Sequence, residues 1–290
     1  MDVDGWWSAP SYKEVPTVRI NQNIAAYNSF RNLSATNTQL GKSLEKLSSG
    51  FRINRAADDA AGLAKSESLR AEIRGSRQAI RNAQDGVSFV QTAEGALNEV
   101  HSILQRMREL AVDAANTATT DGVAQQAEVD ELLAEIGAIG TNATFAGKKV
   151  FQDYSASGAG LTFHVGSGAG QTLSVTADLA LASNDVFGAS VSAVDVDGAA
   201  NAAIGLIDAA ITAVSTTRST LGATQNRLEH TVANLSVAVE NLSASESRVR
   251  DTDMAEEMVA FTRQQIMVQA GTAMLAQANQ VPGSVLALLQ

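Results

Sequence analysis

The sequence predicts a mainly α fold: a long antiparallel coiled-coil helical rod formed by both termini, with a small β-hairpin region in the middle. Three observations predict it. No proline occurs between Thr17 and Val281, and an interior proline breaks a helix by removing an N–H and crowding the preceding turn. Ile204, Ile207, Ile211, Val214, Arg218, Leu221, Gln225, Leu228, Val232, Leu235, Val239, Leu242, Glu246 and Val249 alternate steps of three and four without a slip, as a coiled-coil seam does. Aromatics make up only 4% of a chain that is 45% hydrophobic, which suits thin, closely approached helices better than a wide enzyme core.

Residues 1–17, with Trp6, Trp7, Pro10 and Pro16, differ in composition from the rest and read as an irregular extension. A helical pattern starts at Val18 and carries Ile20, Ile24, Tyr27, Phe30, Leu33, Leu40, Leu44 and Leu47. Ser48-Ser49-Gly50 ends it, because serine and glycine favour turns over helix interiors. After a polar connection from Phe51 to Ala57, Asp58 and Asp59 can cap a second helix and sit favourably in its dipole. That helix carries Leu69, Ile73, Ile80, Val87, Val90, Leu97, Val100, Leu104, Met107 and Leu110, and can run to about Asn116. Some 55 residues at about 1.5 Å each give a rod of roughly 80 Å. Its heptad frame is expected to slip between Leu97 and Val100. A shorter third helix follows, with Val129, Leu132, Ile136 and Ile139.

From about 141 to 198 the chain turns rich in Gly, Ser, Thr, Val and Phe. Alternation in Leu161–Val165 and Leu173–Thr176 predicts a hairpin pair of strands, and Ala146-Gly147 and Gly166-Ser167-Gly168 read as turns. Helical patterning resumes near Ala200 and breaks at Arg250-Asp251-Thr252-Asp253. There, Asp253 and Glu256 form a capping-box spacing for a last helix to about Gln280, with Pro282 close to its end. The expected organisation is therefore an extension (1–17), an N-terminal arm (18–57), a helical rod with a hairpin (58–250) and a C-terminal arm (251–290). Each arm must bury its stripe, and the nearest partner is the other terminus of the same chain. The arm positions expected to carry self-assembly are Ile24, Tyr27, Leu33, Leu40, Leu44 and Leu47 at one end, and Met258, Phe261, Val268, Leu275, Leu286 and Leu289 at the other.

A net charge of −10 and a pI near 4.8 argue against a general phosphate-binding surface. With no cysteine there are no disulfides or thiolate metal sites. No apolar stretch approaches the roughly 20 residues of a membrane span, and Met1–Thr17 lack the basic start and apolar run of a cleavable signal. His101, His164 and His230 are scattered without ligand spacing, and no phosphate-binding Gly-Lys-Ser/Thr loop or serine nucleophile elbow occurs. No cofactor, nucleic acid or enzymatic activity is expected.

Two blocks at opposite ends carry a family resemblance. The first is Leu47-Ser48-Ser49-Gly50-Phe51-Arg52-Ile53-Asn54-Arg55-Ala56-Ala57-Asp58-Asp59-Ala60-Ala61-Gly62-Leu63-Ala64, continued by Thr92-Ala93-Glu94-Gly95-Ala96-Leu97 and Leu104-Gln105-Arg106-Met107-Arg108-Glu109-Leu110-Ala111. The second is Gln269-Ala270-Gly271-Thr272-Ala273-Met274-Leu275-Ala276-Gln277-Ala278-Asn279-Gln280-Val281-Pro282. Over nearly all of residues 18–290 the chain resembles bacterial flagellin. The resemblance implies a structural subunit of the flagellar filament, secreted through the flagellar export apparatus, with the terminal arms in the inner coiled-coil layer and no outer domain. It implies as partners other copies of the chain, an export chaperone, the filament cap and junction proteins. It also implies a host Toll-like receptor, through positions matching Arg106, Leu110 and Glu128. The extension at 1–17 departs from the family pattern.

Some patterns admit two readings. Arg70, Arg74, Arg77 and Arg81 form a basic stripe, either an anion site or a subunit-facing edge matched to acidic helices such as that bearing Glu128, Asp130, Glu131 and Glu135. The acidic whole favours the second. Gln264, Gln265, Gln269, Gln277, Asn279 and Gln280 give the last helix an amide-rich face, by chance or to wet the lumen of a tube. Asn37, Arg218 and Gln225 interrupt the seams, either to set register or as frayed turns. In the monomer the arms lack enough partners and are expected to be largely disordered until assembly. Competing functions are a hook–filament junction protein, or a secreted adhesin or enzyme anchored by flagellin-like arms; the short middle is poor in ionisable clusters, which disfavours the last.

Overall fold

The computed structural model describes residues 22–116, 122–151, 161–175 and 194–288, with side chains as far as Gly283. The extension at 1–17, Ile20 and parts of the 141–198 region lie outside these residues. Five helices are described: α1 (Ile24–Ser49), α2 (Ala60–Ala114), α3 (Val123–Asn142), α4 (Ala200–Arg250) and α5 (Met254–Leu288). Four short strands, β1 (Thr144–Phe145), β2 (Lys148–Lys149), β3 (Leu161–His164) and β4 (Thr172–Val175), form two antiparallel hairpins between α3 and α4. The chain divides into two compact units, one holding α1, α5 and the segments adjoining them, the other spanning Lys65–Ser247.

In the first unit α1 packs on α5. Asn23 caps α1 by accepting the Ala26 N–H at 3.0 Å. Gly50 ends it at φ 74°, donating its N–H to the Lys46 carbonyl at 2.8 Å, a left-handed stop that costs glycine no Cβ clash. The connection is then pinned to the start of the C-terminal arm. Phe51 and Asp251 form a β-bridge. The Arg52 N–H donates to the Arg250 carbonyl at 2.7 Å, and the Thr252 N–H to the Gly50 carbonyl at 3.0 Å. The Arg52 guanidinium reaches the Val249 carbonyl at 2.7 Å, and that of Arg250 lies 4.9 Å from the Phe51 ring centre.

Of the two aspartates expected to cap α2, Asp59 does so and Asp58 instead closes the preceding loop. Asp59 accepts the Gly62 N–H at 2.9 Å at the start of α2, while Asp58 accepts the N–H groups of Asn54 and Arg55 at 3.2 and 3.0 Å. The Arg55 N–H chiefly holds the Asp58 carboxyl below its usual range, with that of Asn54 adding to it against partial desolvation. A depressed carboxyl favours the folded loop above its unfolded pKa, and this contribution disappears as pH falls through the folded value. Asp253 caps α5 through the Ala255 and Glu256 N–H groups at 2.9 and 3.2 Å.

In the second unit, α2, α3, α4 and both hairpins share one core. Val90, Leu97, Leu104 and Met107 of α2 meet Val129 and Ile136 of α3 and Ile207, Val214 and Leu221 of α4. Phe89 links the hairpins edge-on, its ring centre 5.8 Å from that of Phe145 and 6.2 Å from that of Phe163. Two seam interruptions in α4 are ion-pair positions. Arg218 reaches Glu94 at 3.7 Å and Glu246 reaches Arg70 at 3.6 Å, with Arg108 and Asp208 adding a third α2–α4 pair at 2.6 Å. The outer two pairs span equal stretches of both helices, so they fix one antiparallel register. Gln225 donates to Glu229 within α4 at 2.9 Å.

The predicted strands pair as expected, from Leu161 opposite Val175 to His164 opposite Thr172. Their turn rests on α2 at Gly75, where a Cβ would come within 2.9 Å of that of Ser167, and Asn82 donates to the His164 carbonyl at 3.0 Å. Ala146-Gly147 turns β1 into β2 with both φ positive, 50° and 79°, as a two-residue hairpin requires.

Four expectations need correction. From Val90 on, the buried positions Val90, Ala93, Leu97, Val100, Leu104, Met107, Ala111 and Ala114 of α2 alternate steps of three and four, with Leu110 buried beside them. There is therefore no slip at Leu97; the irregularity lies at Ile73, Ser76 and Ala79, where two steps of three adjoin. Asn37 is exposed and off the seam. One 18-residue window of α4 is apolar enough for a membrane span, but Ile207, Val214 and Leu221 of that helix are buried in the core. Finally, α5 does not end near Gln280 but continues through Pro282 to Leu288.

Candidate assembly surface

The pairing of α1 with α5 divides their side chains into a narrow seam and a broad remainder. On α1 the less exposed positions include Ala26, Ser29, Leu33, Thr36, Leu40, Ser43 and Leu47, and on α5 they include Glu257, Phe261, Gln264, Val268, Gly271, Leu275, Ala278 and Pro282. Both sets keep heptad steps, but much of the seam is small or polar. Thr36 returns its hydroxyl to the Asn32 carbonyl at 2.9 Å, Ser43 donates to Gln264 Oε1 at 3.2 Å, and Lys46 reaches Glu257 at 3.6 Å. A Cβ on Gly271 would lie 3.1 Å from Leu33 Cδ1, so the helices approach closely there.

Six predicted arm residues, Leu33, Leu40, Leu47, Phe261, Val268 and Leu275, lie in this seam. Four do not. Ile24, Tyr27, Leu44 and Met258 point outward, with Tyr27 73% and Ile24 61% exposed. Leu286 and Leu289 lie outside the residues whose side chains are described.

The outward residues are not isolated. Phe30, Met254, Val259, Ile266, Met267 and Met274 are also exposed, and Met258, Val259, Thr262, Arg263, Ile266 and Met267 line an open groove along α5. Scattered apolar side chains are ordinary on a surface, whereas here four of them, Met258, Val259, Ile266 and Met267, line one groove of α5. Burial of one such side chain contributes about 1.5–3 kcal/mol.

Sequence reading missed the polar half of the seam and the Phe51–Asp251 bridge. Leu33, Leu40 and Leu47 recur every seven residues, and counting on through Ser and Thr would have revealed the first. The bridge has no local signal, because its two strands are single residues far apart in the chain. Gln264 turns into the seam, so the amides of α5 do not share one face.

In the second unit Arg106 joins α2 to α3. Its guanidinium bonds Glu128 Oε1 through Nε at 2.9 Å and Nη2 at 2.8 Å, and meets Glu109 at 3.4 Å. The hydrogen bond to Glu128 chiefly raises the pKa of the Arg106 guanidinium, with Glu109 assisting. Leu110 is 7% exposed and belongs to the core beneath the pair. Arg74, Arg77 and Arg81 are exposed on α2, with Arg81 held by Gln78 at 3.1 Å.

Comparison with known proteins accounts for both terminal helical regions of the chain. The model of the bacterial flagellin N-terminal helical region matches residues 20–156, and that of the bacterial flagellin C-terminal helical region matches residues 204–289. Flagellin of Halalkalibacterium halodurans is 50% identical over 275 residues, covering 93% of this chain and 99% of that protein. Flagellin of Bacillus subtilis is 48% identical over 305 residues, covering 94% and 100%. The flagellar filament 33 kDa core protein of Treponema phagedenis is 47% identical over 284 residues, covering 93% and 99%. With both terminal regions matched and close relatives aligned almost end to end, the chain belongs to the bacterial flagellin family.

Proposed function

We propose that this chain is a structural subunit that self-assembles into the helical filament of the bacterial flagellum and serves motility from outside the cell. The observation that carries the reading is the exposed apolar surface along α1 and α5, in a chain similar over its length to flagellins and flagellar filament core proteins. The seam between the two helices carries small or polar residues at many of its positions and leaves the outward apolar residues uncovered; neighbouring copies would bury them and complete the layer. Electron microscopy of the purified protein under polymerising conditions is expected to show hollow helical tubes, and a protein that stays monomeric or forms amorphous aggregate would refute the assignment.

The same reading assigns the arms to 18–57 and 251–290 and their self-assembly contacts to the residues named above. Export through the flagellar apparatus requires that the apolar C-terminal segment be shielded, which a chaperone would do, and filament cap and junction proteins are the expected neighbours at the ends. A structural role without catalysis is the family's. The junction-protein and anchored-enzyme alternatives fit less well, since relatives named flagellin align over 93% of the chain.

The exposed Arg74–Arg77–Arg81 edge is assigned to contact with acidic helix faces of neighbouring subunits. The Arg106–Glu128 pair is assigned the same packing role, with detection of released monomer by a host Toll-like receptor as a second consequence. Leu110 would act there by supporting the pair from below. Charge reversal by Arg106→Glu places a third acidic group beside Glu109 and Glu128 and is expected to reduce receptor signalling by at least tenfold in a cell reporter assay. Unchanged signalling would remove Arg106 from the contact.

A further inference from the structure

Helix α5 continues through Pro282 for a further turn and a half, and this needs a physical cause. Proline has no N–H to give the carbonyl four residues back, and its ring crowds that carbonyl. The carbonyl is that of Ala278, the one described side chain of α5 that is buried. Left bare and shielded from water it would be costly. In the structure it accepts a hydrogen bond at 2.7 Å from Asn23 Nδ2, while Oδ1 of the same side chain accepts the Ala26 N–H at 3.0 Å to cap α1.

We propose that Asn23 is the register-setting residue of the arm pair, one amide that starts α1 and fills the carbonyl Pro282 leaves open in α5. Heptad seams alone do not fix register. Leu33, Leu40 and Leu47 recur every seven residues, so a slide of one heptad would again oppose leucines to the α5 seam. Pro282 is the only proline in α5, so its open carbonyl marks a single position along that helix. The close fit of Leu33 against Gly271 marks the same alignment independently. Donor and acceptor functions are both needed at position 23: the oxygen for the cap and the nitrogen for the carbonyl. Asparagine supplies the two on one short stem.

The inference rests on the filament reading, because the arms do their work in the polymer, and a mutant cycle tests it there. Asn23→Asp and Asn23→Ser both keep an N-cap acceptor; aspartate loses the donor and serine is too short to reach α5. Pro282→Ala restores the backbone N–H, so Ala278 no longer needs Asn23. The measured quantity is the concentration of full-length protein left unpolymerised at equilibrium. Asn23→Asp and Asn23→Ser are expected to raise it roughly tenfold in the natural background, and less than about twofold beside Pro282→Ala. Equal factors in the two backgrounds, or no change in the natural one, would overturn the proposal while leaving the filament reading intact. If the single variants fail to assemble, recovery beside Pro282→Ala supports it and continued failure overturns it. An unmutated protein that forms no tubes would remove both readings together.

Discussion

A chain lacking residues 254–290 is expected to stay helical and to lose polymerisation entirely. The reason lies in where each core is closed. Residues Lys65–Ser247 bury Val90, Leu97, Leu104, Val129, Ile207 and Leu221 against one another without help from α5. By contrast, α1 packs on α5, and the deletion would leave Leu33, Leu40 and Leu47 without that helix while removing the apolar groove from Met258 to Met267. Circular dichroism should show a cooperative thermal transition, while sedimentation under polymerising conditions leaves the protein in the supernatant. Filament growth by the truncated chain would refute the assignment of the arm to assembly.

Ile266→Lys should separate folding from assembly within the intact chain. Ile266 is 60% exposed, so in the free subunit a lysine there changes stability by no more than about 0.5 kcal/mol. Buried between subunits, an unpaired ammonium costs about 3 kcal/mol or more. The unpolymerised concentration should therefore rise at least a hundredfold. Comparable polymerisation by the variant would place Ile266 on a wetted surface and move the interface elsewhere on α5.

The α2 and α4 seams and the β3–β4 hairpin were legible in the sequence because large apolar residues mark their buried positions at a regular period. Their polar interruptions were ambiguous for a physical reason. Whether Arg218 and Glu246 set register or fray depends on Glu94 and Arg70 of the facing helix, and periodicity within one helix does not show what faces it. The arms misled in the opposite sense. Ile24, Tyr27, Leu44 and Met258 look like core and lie outside, whereas Thr36 and Ser43 look like surface and are buried. A sequence whose apolar residues serve two successive burials, one within the chain and one between chains, carries both stripes at once.

Pro282 shows the same limit at a single residue. It reads as a helix end, and α5 continues because Asn23, 255 residues from Ala278, supplies the missing donor. The β1–β2 hairpin left only its Ala146-Gly147 turn in the sequence, since strands of two residues are too short to show alternation.

The central claim is that the paired arms are completed by neighbouring copies. Amide hydrogen exchange compared between monomer and filament tests it most directly. The account predicts that α1 and α5 exchange rapidly in the monomer and become protected at least a hundredfold in the filament, while α2 and α4 between Lys65 and Ser247 are protected in both. Equal protection of α1 and α5 in the two states would show that the arm pair is already complete within one chain, and would contradict the account.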